Sequence, residues 1–266
     1  NNILFNHTFQ NVQKSFSFHL SADGFRSKEY ELTALPNAVL LNFDVALDYP
    51  NYVGKKDEVV KNTGDLVIPQ GTKARWTFNT QNTSRLKMIF SDTAMIISPS
   101  GENRFTHSAR LMRDKNYSVA VSNEFIKSKD SVVYAISVIP DMFPVIRLEE
   151  KKDSVSAKRL YFKGTVKDDY GFNKLSFSYK FITKNDSDGN KVENQEKAVV
   201  ENLTVTKTGA QDQFYYFWEL SKLEVNAGDA IEYYFEVWDN DGVNGSKSAR
   251  SQKMIYKAPT LRELAD

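Results

Sequence analysis

The stretch Tyr117 to Pro140, YSVAVSNEFIKSKDSVVYAISVIP, decides the fold. It reads as an alternating aromatic and aliphatic strand, a polar turn, a second alternating strand and a closing proline. The same order returns at Lys14 to Pro36 (KSFSFHLSADGFRSKEYELTALP) and at Tyr233 to Pro259 (YYFEVWDNDGVNGSKSARSQKMIYKAP). The copies end roughly a hundred residues apart, which is the length of one immunoglobulin-like sandwich. The sequence therefore predicts an all-β chain of tandem immunoglobulin-like or fibronectin-like β-sandwiches.

Working outward, strand candidates in a first complete domain, 36–140, are 38–47, 65–68, 73–80, 85–90, 94–97, 104–110, 117–121 and 132–138. Trp76 stands on one face of its strand with Ala74 and Phe78, as a core residue should. The polar stretch between Pro50 and Asp65 reads as a loop. A second domain, 141–258, shows candidates at 145–149, 159–167, 174–183, 197–206, 213–220, 230–238 and 248–257. Residues 1–35 carry only two final strands, and two strands alone are marginal in water. They are either the terminal strands of a preceding immunoglobulin-like domain or an extension of the next one. The linker Pro140-Asp141-Met142-Phe143-Pro144 has two prolines, which limit backbone freedom between the sandwiches. After Pro259, Thr260-Leu261-Arg262-Glu263 forms a capping box, so 259–266 predicts the start of a helix at the C-terminus.

Composition narrows the function classes. Lysine plus arginine number 35 against 34 aspartates plus glutamates, with mixed signs, so no basic face points to nucleic acid. No cysteine occurs, which removes disulfides, thiol nucleophiles and thiolate metal sites together. Asn1 in place of Met, and no signal-peptide pattern, predict a piece of a longer protein. No apolar run approaches the roughly 20 residues needed to span a bilayer, so any membrane contact is expected through regions outside this sequence.

The three histidines, His7, His19 and His107, fall on separate strand-like segments, and no nucleophile elbow, zinc-binding H-E-x-x-H or P-loop is present. No catalytic residue and no cofactor are expected, and the chain reads as a non-enzyme. Two acidic turns have calcium-loop character, because hard cations take clustered carboxylate and carbonyl oxygens. Asp186-Ser187-Asp188-Gly189-Asn190 meets Lys197 where an EF-hand needs its glutamate, and Asp239-Asn240-Asp241-Gly242 meets Arg250 there. A hairpin turn uses the same residue types. The remaining calcium candidates are Asp168 and Asp169 with Asp239 and Asp241, a site only if both loops converge at one pole of the sandwich. Trp238, on the polar side of its strand, is the sugar-platform candidate. The run Tyr215 to Trp218 makes both faces of its strand aromatic, for core or interdomain packing or for a ring platform. Asn6, Asn82, Asn116, Asn185, Asn202 and Asn244 begin N-glycosylation sequons, and Asp92, Asp130 and Asp153 begin triplets of a Bacteroidetes O-glycosylation pattern.

Four phrases carry a family resemblance: Asp48-Tyr49-Pro50-Asn51-Tyr52, Gly64 to Trp76 (GDLVIPQGTKARW), Val166 to Phe172 (VKDDYGF), and Tyr233 to Gly242 with Pro259-Thr260. In these the chain resembles the immunoglobulin-like region of large Bacteroidetes membrane and envelope proteins, a family of unknown function. The resemblance implies a membrane-anchoring region upstream, an extracytoplasmic setting in the periplasm or at the cell surface, and a helical segment downstream. It brings no catalytic residues. Together the readings predict a non-catalytic spacer or protein-interaction region, whose partners are other envelope proteins or other parts of the same full-length chain. The alternative is a carbohydrate-binding module or an accessory region of an envelope enzyme, with a glycan as ligand.

Overall fold

Alternation in the sequence becomes strand pairing nearly position for position in the computed structural model, which describes residues 4–126, 132–153, 156–193, 197–207 and 209–264. Near the start, β1 (Phe16–Phe18) and β4 (Tyr30–Leu32) pair antiparallel, while β2 (Ser21–Ala22) and β3 (Phe25–Arg26) form the hairpin tip. The tip turns through Asp23 and Gly24, both at positive φ. Phe9 packs edge-on against Phe16 at 5.0 Å, and Phe18 stacks on Tyr30 at 5.6 Å, so the hairpin has a small aromatic cluster of its own.

The first sandwich uses β5 (Val39–Asp48), β6 (Glu58–Lys61), β7 (Leu66–Pro69), β8 (Lys73–Gln81), β9 (Arg85–Phe90), β10 (Ala94–Ile97), β11 (Pro99–Gly101), β12 (Arg104–Arg110), β13 (Lys115–Ser122) and β14 (Val133–Ile139). One five-stranded sheet runs β10-β9-β13-β14-β7 and the other β11-β12-β8-β5-β6. All pairs are antiparallel except β7 with β14, which lie parallel from Leu66 opposite Ile136 to Pro69 opposite Ile139. The stretch read as a polar loop differs from expectation, because it holds a 3-10 turn (Asn51–Val53) and β6. That strand lies at a sheet edge with Val59 exposed, so charged neighbours mask its alternation.

Between these sheets Trp76 is fully buried, and its Nε1–H donates to the Tyr117 hydroxyl at 3.1 Å, which donates to the Gly64 carbonyl at 3.0 Å. A buried Trp or Tyr needs such a partner for its polar tip. Gly64 itself lies under the Tyr134 ring, and a Cβ there would fall 2.2 Å from that ring.

The second sandwich uses β15 (Val145–Lys152), β16 (Arg159–Lys167), β17 (Phe172–Asn185), β18 (Lys191–Val192), β19 (Val199–Leu203), β20 (Gln211–Glu219), β21 (Ala230–Asp239), β22 (Ser248–Arg250) and β23 (Met254–Lys257). A three-stranded sheet β15-β16-β20 faces a sheet centred on β17 and β21, with β18 and β19 beside β17 and β22 and β23 beside β21. Alternation puts Leu175, Phe177, Ile231, Phe235 and Val237 wholly inside. Gly164 repeats the glycine-under-ring device of the first sandwich: it pairs with Phe214 across the strands, and a Cβ would meet that ring at 2.1 Å.

At the C-terminus the capping box forms as expected, with Thr260 N–H donating to Glu263 and Glu263 N–H donating to the Thr260 hydroxyl. One turn follows, closed by Leu264 N–H on the Thr260 carbonyl, and no α-helix occurs among the described residues. Nor is any described helix long and apolar enough to cross a membrane.

Candidate functional site

Three segments meet at the pole of the second sandwich nearest the first: the proline linker, the β16–β17 loop and the β21–β22 loop. Asp168 closes β16 and turns the chain, its Oδ2 accepting the N–H groups of Tyr170 and Gly171 at 2.9 Å each. Gly171 has φ of +117°, a conformation that excludes most side chains. Asp239 ends β21, and its Oδ1 accepts Lys247 N–H at 2.7 Å and Asp241 N–H at 3.2 Å. Asn240 ties the two loops together, with its N–H on the Gly171 carbonyl and its Nδ2 on the Tyr170 carbonyl.

These turns bring one oxygen each from Asp141, Asp168 and Asp239 within 4.8 Å of one another. The two aspartate loops therefore converge, joined by Asp141 from the linker. Asp241 sits beside them, while Asp169 is exposed and its Oδ2 accepts Met142 N–H at 3.2 Å. Lys247 supplies one positive charge, with Nζ at 2.7 Å from Asp239, 3.0 Å from Asp241 and 3.2 Å from Asp141. One ammonium does not balance this many carboxylates. Burial pushes Asp141 up to about 6, against the pull of Lys247, and burial also raises Asp168 against its two backbone N–H donors. Asp241 goes the other way: burial opposes ionisation, but N–H groups of Asn244 and Val243 with Lys247 hold it down to about 2.

The same pole touches the first sandwich. Tyr52, on the 3-10 turn, meets Tyr170 edge-on with ring centres 5.6 Å apart. Its buried hydroxyl is raised well above the usual phenol range, first by burial and then by the charges of Asp141 and Asp241. Asn244 Nδ2 donates to Gln70 Oε1 at 2.8 Å, and Val243 lies against Gly71, where a Cβ would stand 2.6 Å away. A cleft of about 450 Å³ opens beside this contact, lined by Tyr52, Gly54, Asp169, Tyr170, Lys207 and Asn240 among others.

Other sequence candidates fall elsewhere. Asp186 is a hairpin-turn residue, its Oδ1 accepting Asp188 and Asn190 N–H between β17 and β18. Trp238 is half-buried, with Lys174 Nζ 4.7 Å from its ring centre. Within the aromatic run, Trp218 is buried, but Tyr215 and Phe217 are 73% and 45% exposed on the outer face of the three-stranded sheet. Tyr161 lies beside Phe217 with ring centres 4.9 Å apart. His107 stacks on Trp76, and His19 Nδ1 accepts from the Arg26 guanidinium on the first hairpin, so the described histidines do not gather. Asn185 is buried, unlike a glycosylated asparagine. The O-glycosylation triplets at Asp130 and Asp153 extend into residues outside the described ones. Sequence reasoning gave no site role to Asp141, Lys247 or Tyr52, and took Asn240 only as part of the Asp239 turn; of the three missed, only the acid between two linker prolines offered a signal.

No family model and no curated protein matches the chain. Among solved structures, it is similar to a Bacteroides uniformis protein described as a "putative carbohydrate binding protein" (12% identity, 67% of this chain and 90% of that one, TM-score 0.28). Fibronectin(III)-like modules of Clostridium thermocellum CbhA give 13% identity over 75% and 92% of the two chains, with TM-score 0.25. A marsupial T cell receptor gives 10% identity over 82% and 73%, with TM-score 0.32. The chain is an all-β protein of β-sandwiches in tandem, each with its own core.

Proposed function

We propose that this chain is a non-catalytic, extracytoplasmic spacer and protein-interaction region of a larger membrane-anchored bacterial protein, with other envelope proteins or the rest of its own chain as partners. The junction supports this reading: Tyr52 on Tyr170, Gln70 on Asn244 and Gly71 on Val243 join the sandwiches through side chains as well as through the linker. A spacer transmits position only if its units keep their angle, and contacts of this kind restrain it beyond what the prolines do. Small-angle X-ray scattering tests this. The chain should scatter as one elongated body, and Val243→Asp, which sets a charge against Gly71, should broaden its distance distribution. A wild-type profile already demanding many interdomain angles would refute the rigid spacer.

A carbohydrate-binding module is the second reading, favoured by the exposed rings of Tyr161, Phe217 and Tyr215 on one sheet face. Flat rings set side by side stack on sugar faces. Glycan binding that is lost in Phe217→Ala or Trp238→Ala would select this reading over the spacer; a panel of envelope polysaccharides none of which binds wild type would remove it.

A further inference from the structure

We propose that a calcium ion binds between Asp141, Asp168 and Asp239, bracing the linker against the second sandwich at its junction with the first. The site stands whether the chain spaces or binds. Clustered acids alone would not establish it, but the oxygens here lack what buried oxygens need. Asp168 is 8% exposed, and its Oδ1 has no hydrogen-bond partner while its Oδ2 is held by two N–H groups. The Asp141 side chain is 2% exposed; its Oδ1 faces the Lys247 ammonium at 3.2 Å, and no hydrogen bond reaches its Oδ2. Asn240 contributes another buried oxygen without a partner on the same loop. Buried polar atoms in native proteins are nearly always satisfied, so these acceptors call for a ligand, and where they are mostly carboxylate oxygens in a group a cation suits them.

Lys247 explains part of this charge and not the rest. It reaches Asp141, Asp239 and Asp241, yet no ion pair with Asp168 occurs among the described residues. The donors are all oxygen, which selects a hard cation. Calcium bonds of about 2.3–2.6 Å let opposite ligands sit about 5 Å apart, so the separation within 4.8 Å needs no closure, whereas magnesium demands a tighter octahedron. Carbonyl oxygens and water complete its usual six to eight ligands. Because Asp141 belongs to the linker and the other two acids to the sandwich, the ion would tie segments that the backbone leaves separate.

Terbium(III) replaces calcium and can be excited through the Tyr52 and Tyr170 rings. Titration of the 266-residue chain should therefore give tyrosine-sensitised terbium emission that calcium displaces. Calcium at about 100 times its Kd should raise the midpoint of thermal unfolding by about 5–10 °C relative to chelator. Asp141→Asn, which removes one carboxylate while Lys247 keeps Asp239 and Asp241, should weaken binding by about 10- to 100-fold or more, as loss of even an outer-shell partner does. Asp168→Asn should do the same while still accepting both backbone N–H groups, and Asp186→Asn, in the distant hairpin, should bind like wild type. Absence of emission and of a thermal shift would overturn the site. So would undiminished binding in folded Asp141→Asn, and an equal response to magnesium would overturn the choice of calcium.

Discussion

Trp76→Ala should cost the first sandwich about 3–5 kcal/mol, the range for truncating a large buried aromatic. The indole is fully buried between the two sheets, with Phe90, His107 and Tyr117 rings around it. Its removal opens a cavity and strips the Tyr117 hydroxyl of a donor, though that hydroxyl keeps the Gly64 carbonyl. The domain has no disulfide to hold its sheets together, so this packing carries the role alone. Chemical denaturation followed by near-ultraviolet circular dichroism should show an early transition for the first sandwich with the second unaltered. A loss under about 1 kcal/mol, at the scale of an exposed substitution, would contradict the placement of Trp76 at the centre of the core.

Asp229→Ala should destabilise the second sandwich by a similar amount, about 3–5 kcal/mol, through polar groups in place of volume. Asp229 is fully buried where β17 ends and β21 begins. Its carboxylate accepts Asn185 N–H at 2.7 Å and Asn226 N–H at 2.8 Å, and Lys184 Nζ lies 3.7 Å away. Alanine would leave both N–H groups without a partner away from water, at about 1–3 kcal/mol each. Asp229→Asn keeps one acceptor and should recover part of the loss. Equal stability of the alanine variant and wild type in urea would show that water satisfies those donors.

Strands were legible in the sequence wherever one face is buried, because burial enforces the two-residue period. From Arg85 to Phe90 and from Arg104 to Arg110 expectation and structure coincide. The edge strand β6 was illegible, since an exposed edge imposes no apolar period. The break between β22 and β23 was hidden for another reason: Ser251 substitutes its hydroxyl for a ladder carbonyl, accepting Phe235 N–H at 3.0 Å. At the candidate site, the loops of Asp168 and Asp239 were visible as acidic turns after strands. Asp141 and Lys247 were not, because linker and loop meet only through the relative placement of two sandwiches, which no local pattern encodes. Conversely, Asp169 shares its neighbour's residue type and falls on the other side of the turn.

The single parallel pair in the first sandwich bears on how the chain carries tension. A pull from the N-terminal side is taken first by β5, which precedes β7 and is bonded to β8; once β5 is detached, β7 is loaded from its beginning against β14 from its end, and parallel strands loaded that way must slide past one another, straining their ladder bonds together. Among its described strands the second sandwich has no parallel pair: its first, β15, is bonded to β16 and its last, β23, to β21, in different sheets. Force there crosses from sheet to sheet through side-chain packing. The first sandwich thus holds, behind β5, a shear-loaded clamp that the described strands of the second do not repeat.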